Sequence, residues 1–173
     1  VKALTAEELD IKYNKETGYI GSAVEGDTKL HCSSLDKLIV VSGDGTYRVV
    51  APPDKLYVEK MMYCEIYDRD KVMTAVYSHK GSTYMKRFTF GGTIMNKEYF
   101  VAIEGAKLLV FKDDDPEEIY VKYKPAKGQR KHKELFKPKE MAVKGVKARG
   151  NQMTFKAVSR LSIGKPSWWN DKA

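Results

Sequence analysis

Ten cations are the residues of this chain whose types and spacing could do chemistry. Arg130, Lys131, Lys133, Lys144, Lys147, Arg149, Lys156 and Arg160 lie in the last quarter, and Lys86 with Arg87 form a second tier near the middle. Lys and Arg neutralise phosphate oxygens and release the counterions condensed on a nucleic acid. From Pro125 to Ala173 thirteen Lys and Arg face three acidic residues, whereas Val1 to Lys124 carries eighteen against twenty, so the formal +8 comes from the C-terminal stretch. These cations are interleaved with glycines and short apolar runs, as in Lys144-Gly145-Val146-Lys147-Ala148-Arg149-Gly150-Asn151, unlike a disordered basic tail. A folded surface that presents cations in rows points to a polyanion, of which the nucleic-acid backbone is the commonest. Lys86 and Arg87 are adjacent, so on a strand one of them must point away from the other. The competing readings are a solubilising face or, for Lys144 and Lys147, polar flanks that keep an edge strand from aggregating.

Other chemistry finds little support. His31, His79 and His132 have no nucleophile or ligand spacing, although His132 could add a phosphate contact when protonated. Asp113-Asp114-Asp115 resembles a hard-cation site, yet aspartate initiates turns, Pro116 follows, and consecutive residues do not all face one ion, so the run reads as a turn. Gly43-Asp44-Gly45 is followed by a strand pattern, which argues against a phosphate loop at a helix N-terminus. Cys32 and Cys64 are too few for a disulfide framework, are not in zinc-ligand spacing, and are expected to be reduced. Trp168-Trp169 reads as an apolar cap on the last repeat, with base stacking as the alternative. No convergent acid, base or metal constellation indicates an active site.

The elements that must position the cations are strands. At 173 residues and 42% apolar content the chain fits one domain, residues 1–173, with a sizeable core. No apolar run approaches the roughly 20 residues of a membrane span, and the start lacks a signal-peptide core. A cytoplasmic protein without membrane partners is expected, and a first residue other than Met suggests a piece of a longer polypeptide. Only Ala6-Glu7-Glu8-Leu9 has local helix character, and it is too short to persist alone. Leu38–Val41 and Thr46–Val50 flank a glycine turn as a hairpin, and Val72–Tyr77 and Thr83–Phe88 repeat the pattern around His79-Lys80-Gly81-Ser82. Two further hairpins are expected, one from Leu108–Phe111 and Ile119–Tyr123, the other from Met141–Val143 with Val146 and Thr154–Val158.

Thr46, Thr83 and Thr154 each open a second strand, spaced by 37 and 71 residues, close to one and two periods. An all-strand repeat of this size predicts an all-β fold of propeller type, with about three to four blades near 11–60, 61–124 and 125–165 in an open or incomplete ring. A sandwich or irregular barrel is the alternative topology.

The strings Tyr13-Asn14-Lys15-Glu16-Thr17-Gly18-Tyr19-Ile20-Gly21, Asp44-Gly45-Thr46-Tyr47-Arg48-Val49-Val50, Tyr84-Met85-Lys86-Arg87-Phe88 with Lys97-Glu98-Tyr99, and Ala148-Arg149-Gly150-Asn151 occur in that order. Together they resemble the C-terminal domain of the bacterial type IIA topoisomerase A subunit, the topoisomerase IV kind more than gyrase. The resemblance implies a strand-exchanging propeller, the β-pinwheel, whose basic rim binds and bends duplex DNA for relaxation and decatenation. It also implies a parent complex with a B subunit, to which ATP and Mg2+ would belong; no cofactor is expected in this domain. Gyrase has a basic glycine-rich box here represented only by Gly128-Gln129-Arg130-Lys131-His132-Lys133-Glu134, which lacks the glycine pair. The alternative function is a protein-interaction scaffold for an acidic partner.

Overall fold

A computed structural model describes residues 5–154 and 158–170, with backbone only at Thr154. Among them the regular elements are sixteen strands and two short 3-10 turns, and no helix is long and apolar enough to cross a membrane. The chain divides into two compact units, Val1–Arg69 with Gly92–Val101, and Asp70–Gly91 with Ala102–Ala173.

The first unit opens with β1 (Glu8–Asn14), β2 (Tyr19–Gly21) and β3 (Asp27–Ser33), continues with β4 (Leu38–Ser42), β5 (Thr46–Val50), β6 (Leu56–Tyr57) and β7 (Met61–Ile66). The second unit contributes β8 (Met73–His79) and β9 (Ser82–Thr89), after which β10 (Tyr99–Phe100) belongs to the first unit again. The remainder is β11 (Lys107–Lys112), β12 (Ile119–Tyr123), β13 (Lys133–Phe136), β14 (Lys144–Gly145), β15 (Asn151–Thr154) and β16 (Val158–Ile163).

Four sheets result, ordered β3-β1-β2-β6, β10-β5-β4-β7, β11-β8-β9-β14 with β15 also on β9, and β13-β12-β16. Their connectivity follows one rule. A sheet is completed by a strand that arrives after the next sheet has begun: β6 returns to the first sheet after the β4–β5 hairpin, β10 to the second after β8–β9, and β14 and β15 to the third after β12–β13. Such exchange pairs an edge that would otherwise be open to other chains.

Local chemistry explains the two tight hairpins. At β4–β5, Asp44 accepts from the Thr46 N–H at 3.0 Å and from its hydroxyl at 2.6 Å, and Gly45 takes φ +89°. At β8–β9, Lys80 and Gly81 have φ of 50° and 81°, so the loop has the two positive-φ central residues that match the strand twist. Leu38–Val41 is buried throughout, as a continuous apolar run requires of a strand covered on both faces.

The core of the first unit joins its two sheets through Ile11, Ile20, Leu30, Leu38, Val40 and Val50. Cys32 and Cys64 are free thiols in that cluster, and burial pushes the Cys64 thiol up to about 12. The core of the second unit joins Val76 and Met85 of the third sheet to Ile119, Val121 and Tyr123 of the fourth.

Leu9 lies in β1, paired with β3, so the weak helix preference of Ala6–Leu9 does not persist, as expected of so short a stretch. Two local expectations are corrected. Leu108–Phe111 and Ile119–Tyr123 do not pair as a hairpin: β11 joins β8 and β12 joins β13 and β16. The strands expected around the Gly150-Asn151 turn do not pair with each other either. β14 lies parallel and β15 antiparallel to β9, while Val158 begins a strand on β12.

Candidate nucleic-acid interface

The fourth sheet arranges cations in a transverse row. On β12, Ile119, Val121 and Tyr123 point into the core, so Lys122 points to the opposite face. Lys122 stands directly opposite Lys133 of β13 on one side and Arg160 of β16 on the other. Three like charges thus share one face at cross-strand spacing, where side-chain Cβ atoms lie about 5 Å apart and repulsion costs stability. An anion laid across the row removes that repulsion. Lys133 and Arg160 are among the cations expected to meet phosphate; Lys122 is not, although its alternation with buried Val121 and Tyr123 marks it as outward-facing.

One end of the row is held by packing. Lys133 Nζ donates to the Trp169 carbonyl at 2.8 Å and lies 5.8 Å from the centre of its ring. Trp169 in turn meets Tyr120 edge-on at 4.9 Å, so the C-terminal 3-10 turn caps this sheet. Arg130 and Lys131 occupy the β12–β13 connection, closed by the Tyr123 N–H donating to the His132 carbonyl at 2.9 Å. Arg130 is exposed, and Lys131 pairs with Glu134 at 3.4 Å.

A second group of cations rides on a backbone arch. β14 pairs with Phe88 and Thr89 of β9, and β15 begins opposite Met85, so residues 146–150 bow over the stretch of β9 between them. The Ala148 N–H donates to the Gly145 carbonyl at 3.0 Å and tightens the bow. Lys144, Lys147 and Arg149 are exposed on it. The Arg149 guanidinium lies 5.6 Å from the Tyr84 ring, Tyr84 stacks on Tyr77 at 5.1 Å, and the Tyr77 hydroxyl donates to the Arg149 carbonyl. Gly150 takes φ +92°, and a Cβ there would stand 2.9 Å from both Lys86 Cβ and the Met85 carbonyl oxygen. Only glycine closes the arch without displacing β9.

Lys86 and Arg87 are corrected as phosphate contacts, because both are engaged inside the second unit. Lys86 is 2% exposed, its Nζ donates to the Val146 carbonyl, and desolvation lowers its pKa to about 8. Arg87 grips Asp115 through two parallel bonds of 2.9 and 2.8 Å and donates to the Met141 carbonyl at 3.1 Å. Asp113 meets Lys71 at 3.2 Å. Asp113 and Asp115 are therefore each paired with a different cation, as a turn allows. Among the described residues no group of three His, Cys, Asp or Glu could hold a metal ion. Lys156 lies outside the described residues.

The candidate cations brought together are thus Lys122, Lys133 and Arg160 in one group, and Lys144, Lys147 and Arg149 in another. Both belong to the second unit. That unit carries 21 Lys and Arg against 10 acidic residues, a net +11, while the first carries 10 against 13, a net −3.

Comparison with known proteins agrees with this architecture. A crystal structure of the C-terminal domain of DNA topoisomerase IV is similar with a TM-score of 0.67 at 12% identity, covering 95% of this chain and 63% of that one. The chain thus spans less than two thirds of that domain. The E. coli ParC C-terminal domain is similar with a TM-score of 0.51 at 13% identity, covering 90% of this chain and 78% of that one. At these identities the likeness establishes the fold, a β-pinwheel. No curated protein matches the sequence. Residues 10–165 match the family described as topoisomerase C-terminal domain, Bacteroidota, and with nearly its whole length covered the chain belongs to that family.

Proposed function

We propose that this chain, as the DNA-binding C-terminal domain of a type II topoisomerase subunit, holds duplex DNA through its phosphates on the cations of the second unit. The observation that carries this reading is the row Lys133, Lys122 and Arg160, three like charges kept opposite one another on a face whose reverse is core. A phosphate backbone laid along the row is attracted by all three cations, which a neutral partner is not. Lys144, Lys147 and Arg149 supply further contacts. Because phosphates carry no sequence information directly, binding is sequence-tolerant and falls steeply with salt.

Contacts spread over several turns of duplex favour bent over straight DNA once they outweigh a bending cost of about 1–6 kcal/mol for a 20–30 base-pair site. The domain then offers curved duplex to a catalytic core elsewhere in its parent, for relaxation and decatenation. Strand cleavage, ATP and Mg2+ belong in this reading to that parent and its B subunit. The absence of the glycine pair beside Gln129 and Arg130 supports bending over gyrase-type wrapping. The test binds the chain to relaxed plasmid before treatment with a nicking-closing enzyme. Tight binding with a small linking-number shift is expected. A large shift would replace bending by wrapping, and no binding at low salt would refute DNA as the ligand in favour of an acidic protein partner.

A further inference from the structure

A lysine almost fully withdrawn from water needs a reason, since burial penalises its charged form and the side chain must find a hydrogen-bond acceptor. Lys86 lies between Tyr84 and Phe88 on one face of β9, with Nζ 4.8 Å from the Phe88 ring centre. Beneath the arch it borders a cavity of about 80 Å³ with Phe88, Ala148 and Gly150. Its Nζ donates to the carbonyl of Val146, a residue 60 positions later and at the start of the bow. Burial lowers the Lys86 pKa to about 8, and the Val146 carbonyl supplies the acceptor that burial would otherwise deny the amine. The close approach of Gly150 to Lys86 Cβ and the Tyr77 bond to Arg149 secure the other end.

We propose that Lys86 is a positioning residue for DNA binding: its bond to the Val146 carbonyl latches the arch that carries Lys144, Lys147 and Arg149. This rests on the DNA-binding reading of those three cations, but the latch itself is a property of the free protein. The cation that touches no phosphate then governs whether three others are presented together. An unlatched arch keeps the same charge count yet loses the ordering that lets all three engage one backbone.

The test compares wild type with Lys86→Met, which keeps the length and apolar stem but removes the donor, and Lys86→Gln, which retains a donor. Hydrogen exchange of the free proteins reports the arch, and binding to a mixed-sequence duplex across salt reports the interface. In Lys86→Met, amides of residues 146–150 should exchange at least about tenfold faster. The slope of log K against log salt should become shallower by up to about 2.7, the share of three phosphate contacts. Lys86→Gln should restore part of both. Unchanged exchange and slope in Lys86→Met would overturn the latch. Should wild type fail to bind DNA, the exchange result still decides the latch, so the two failures are distinguishable. If the variants do not fold, a scalar coupling between Lys86 Nζ and the Val146 carbonyl carbon in wild type decides: its presence supports the latch and its absence refutes it.

Discussion

The two units are built alike and charged oppositely. Each packs two mainly antiparallel sheets over an apolar core, and each contains a glycine-turn hairpin and strands exchanged between sheets. The first carries a net −3 and the second +11. Fold alone therefore does not set the charge of a surface; the outward positions of the strands do. In the first unit such positions hold Glu8 and Asp10 beside His31, at 2.8 and 2.6 Å, whereas in the second they hold Lys122, Lys133 and Arg160.

The largest expected effect breaks the contrast directly. Reversing Lys122, Lys133 and Arg160 to Glu should weaken duplex binding on the order of 100-fold or more at about 0.1 M salt, read by fluorescence anisotropy. Reversing Lys15 and Lys29, exposed in the first unit, should leave affinity within about threefold. Equal losses from the two sets would erase the division of labour.

The next effect concerns stability of the second unit. Arg87→Ala removes the two-bond grip on Asp115 and the donor to the Met141 carbonyl, in a pair whose side chains are 17% and 29% exposed. About 2–3 kcal/mol should be lost in urea unfolding, less than for a wholly buried pair because water screens part of it. A loss below about 0.5 kcal/mol would mean the grip is ornamental. Gly150→Ala should cost about 1–3 kcal/mol, from its φ of +92° and the 2.9 Å contacts its Cβ would make. Thermal melts would show this, and an unchanged melting temperature would mean that the arch does not close as described.

The smallest effect sharpens the picture of the first unit. The Asp10 carboxylate, and after it Glu8, hold the His31 pKa above 6.5. A folded pKa above the unfolded value means that the contribution to stability is complete below about 6.5 and is lost as pH rises through the folded pKa. Proton NMR titration should place His31 above 6.5 and Asp10→Asn should move it down. An unmoved titration would mean that His31 is not held by Asp10 in solution.

How much of this was legible from the residues depends on the length of each signal. Leu38–Val50 and Met73–Phe88 declare themselves because long apolar runs flank turns that glycine or lysine can close at positive φ. Three of the exchanged strands do not, because Leu56–Tyr57, Tyr99–Phe100 and Lys144–Gly145 are two residues each and carry no period. Without that signal Leu108–Tyr123 and Met141–Val158 read as hairpins, although neighbours in sequence join different partners. In the interface, the exposed cations of the basic stretch were legible from charge density. Lys86 was not: nothing in Tyr84-Met85-Lys86-Arg87-Phe88 reveals that an arch 60 residues away would cover it. Lys122 was overlooked because one cation in an apolar strand adds little to a local charge count.

The central claim is most directly tested by the salt dependence of duplex binding, measured for wild type and for the Lys122, Lys133 and Arg160 reversal. With about six phosphates engaged, wild type should give a slope near −5, and the variant should lose about 2.7 of it. A wild-type slope near zero, or a variant slope equal to that of wild type, would contradict the account.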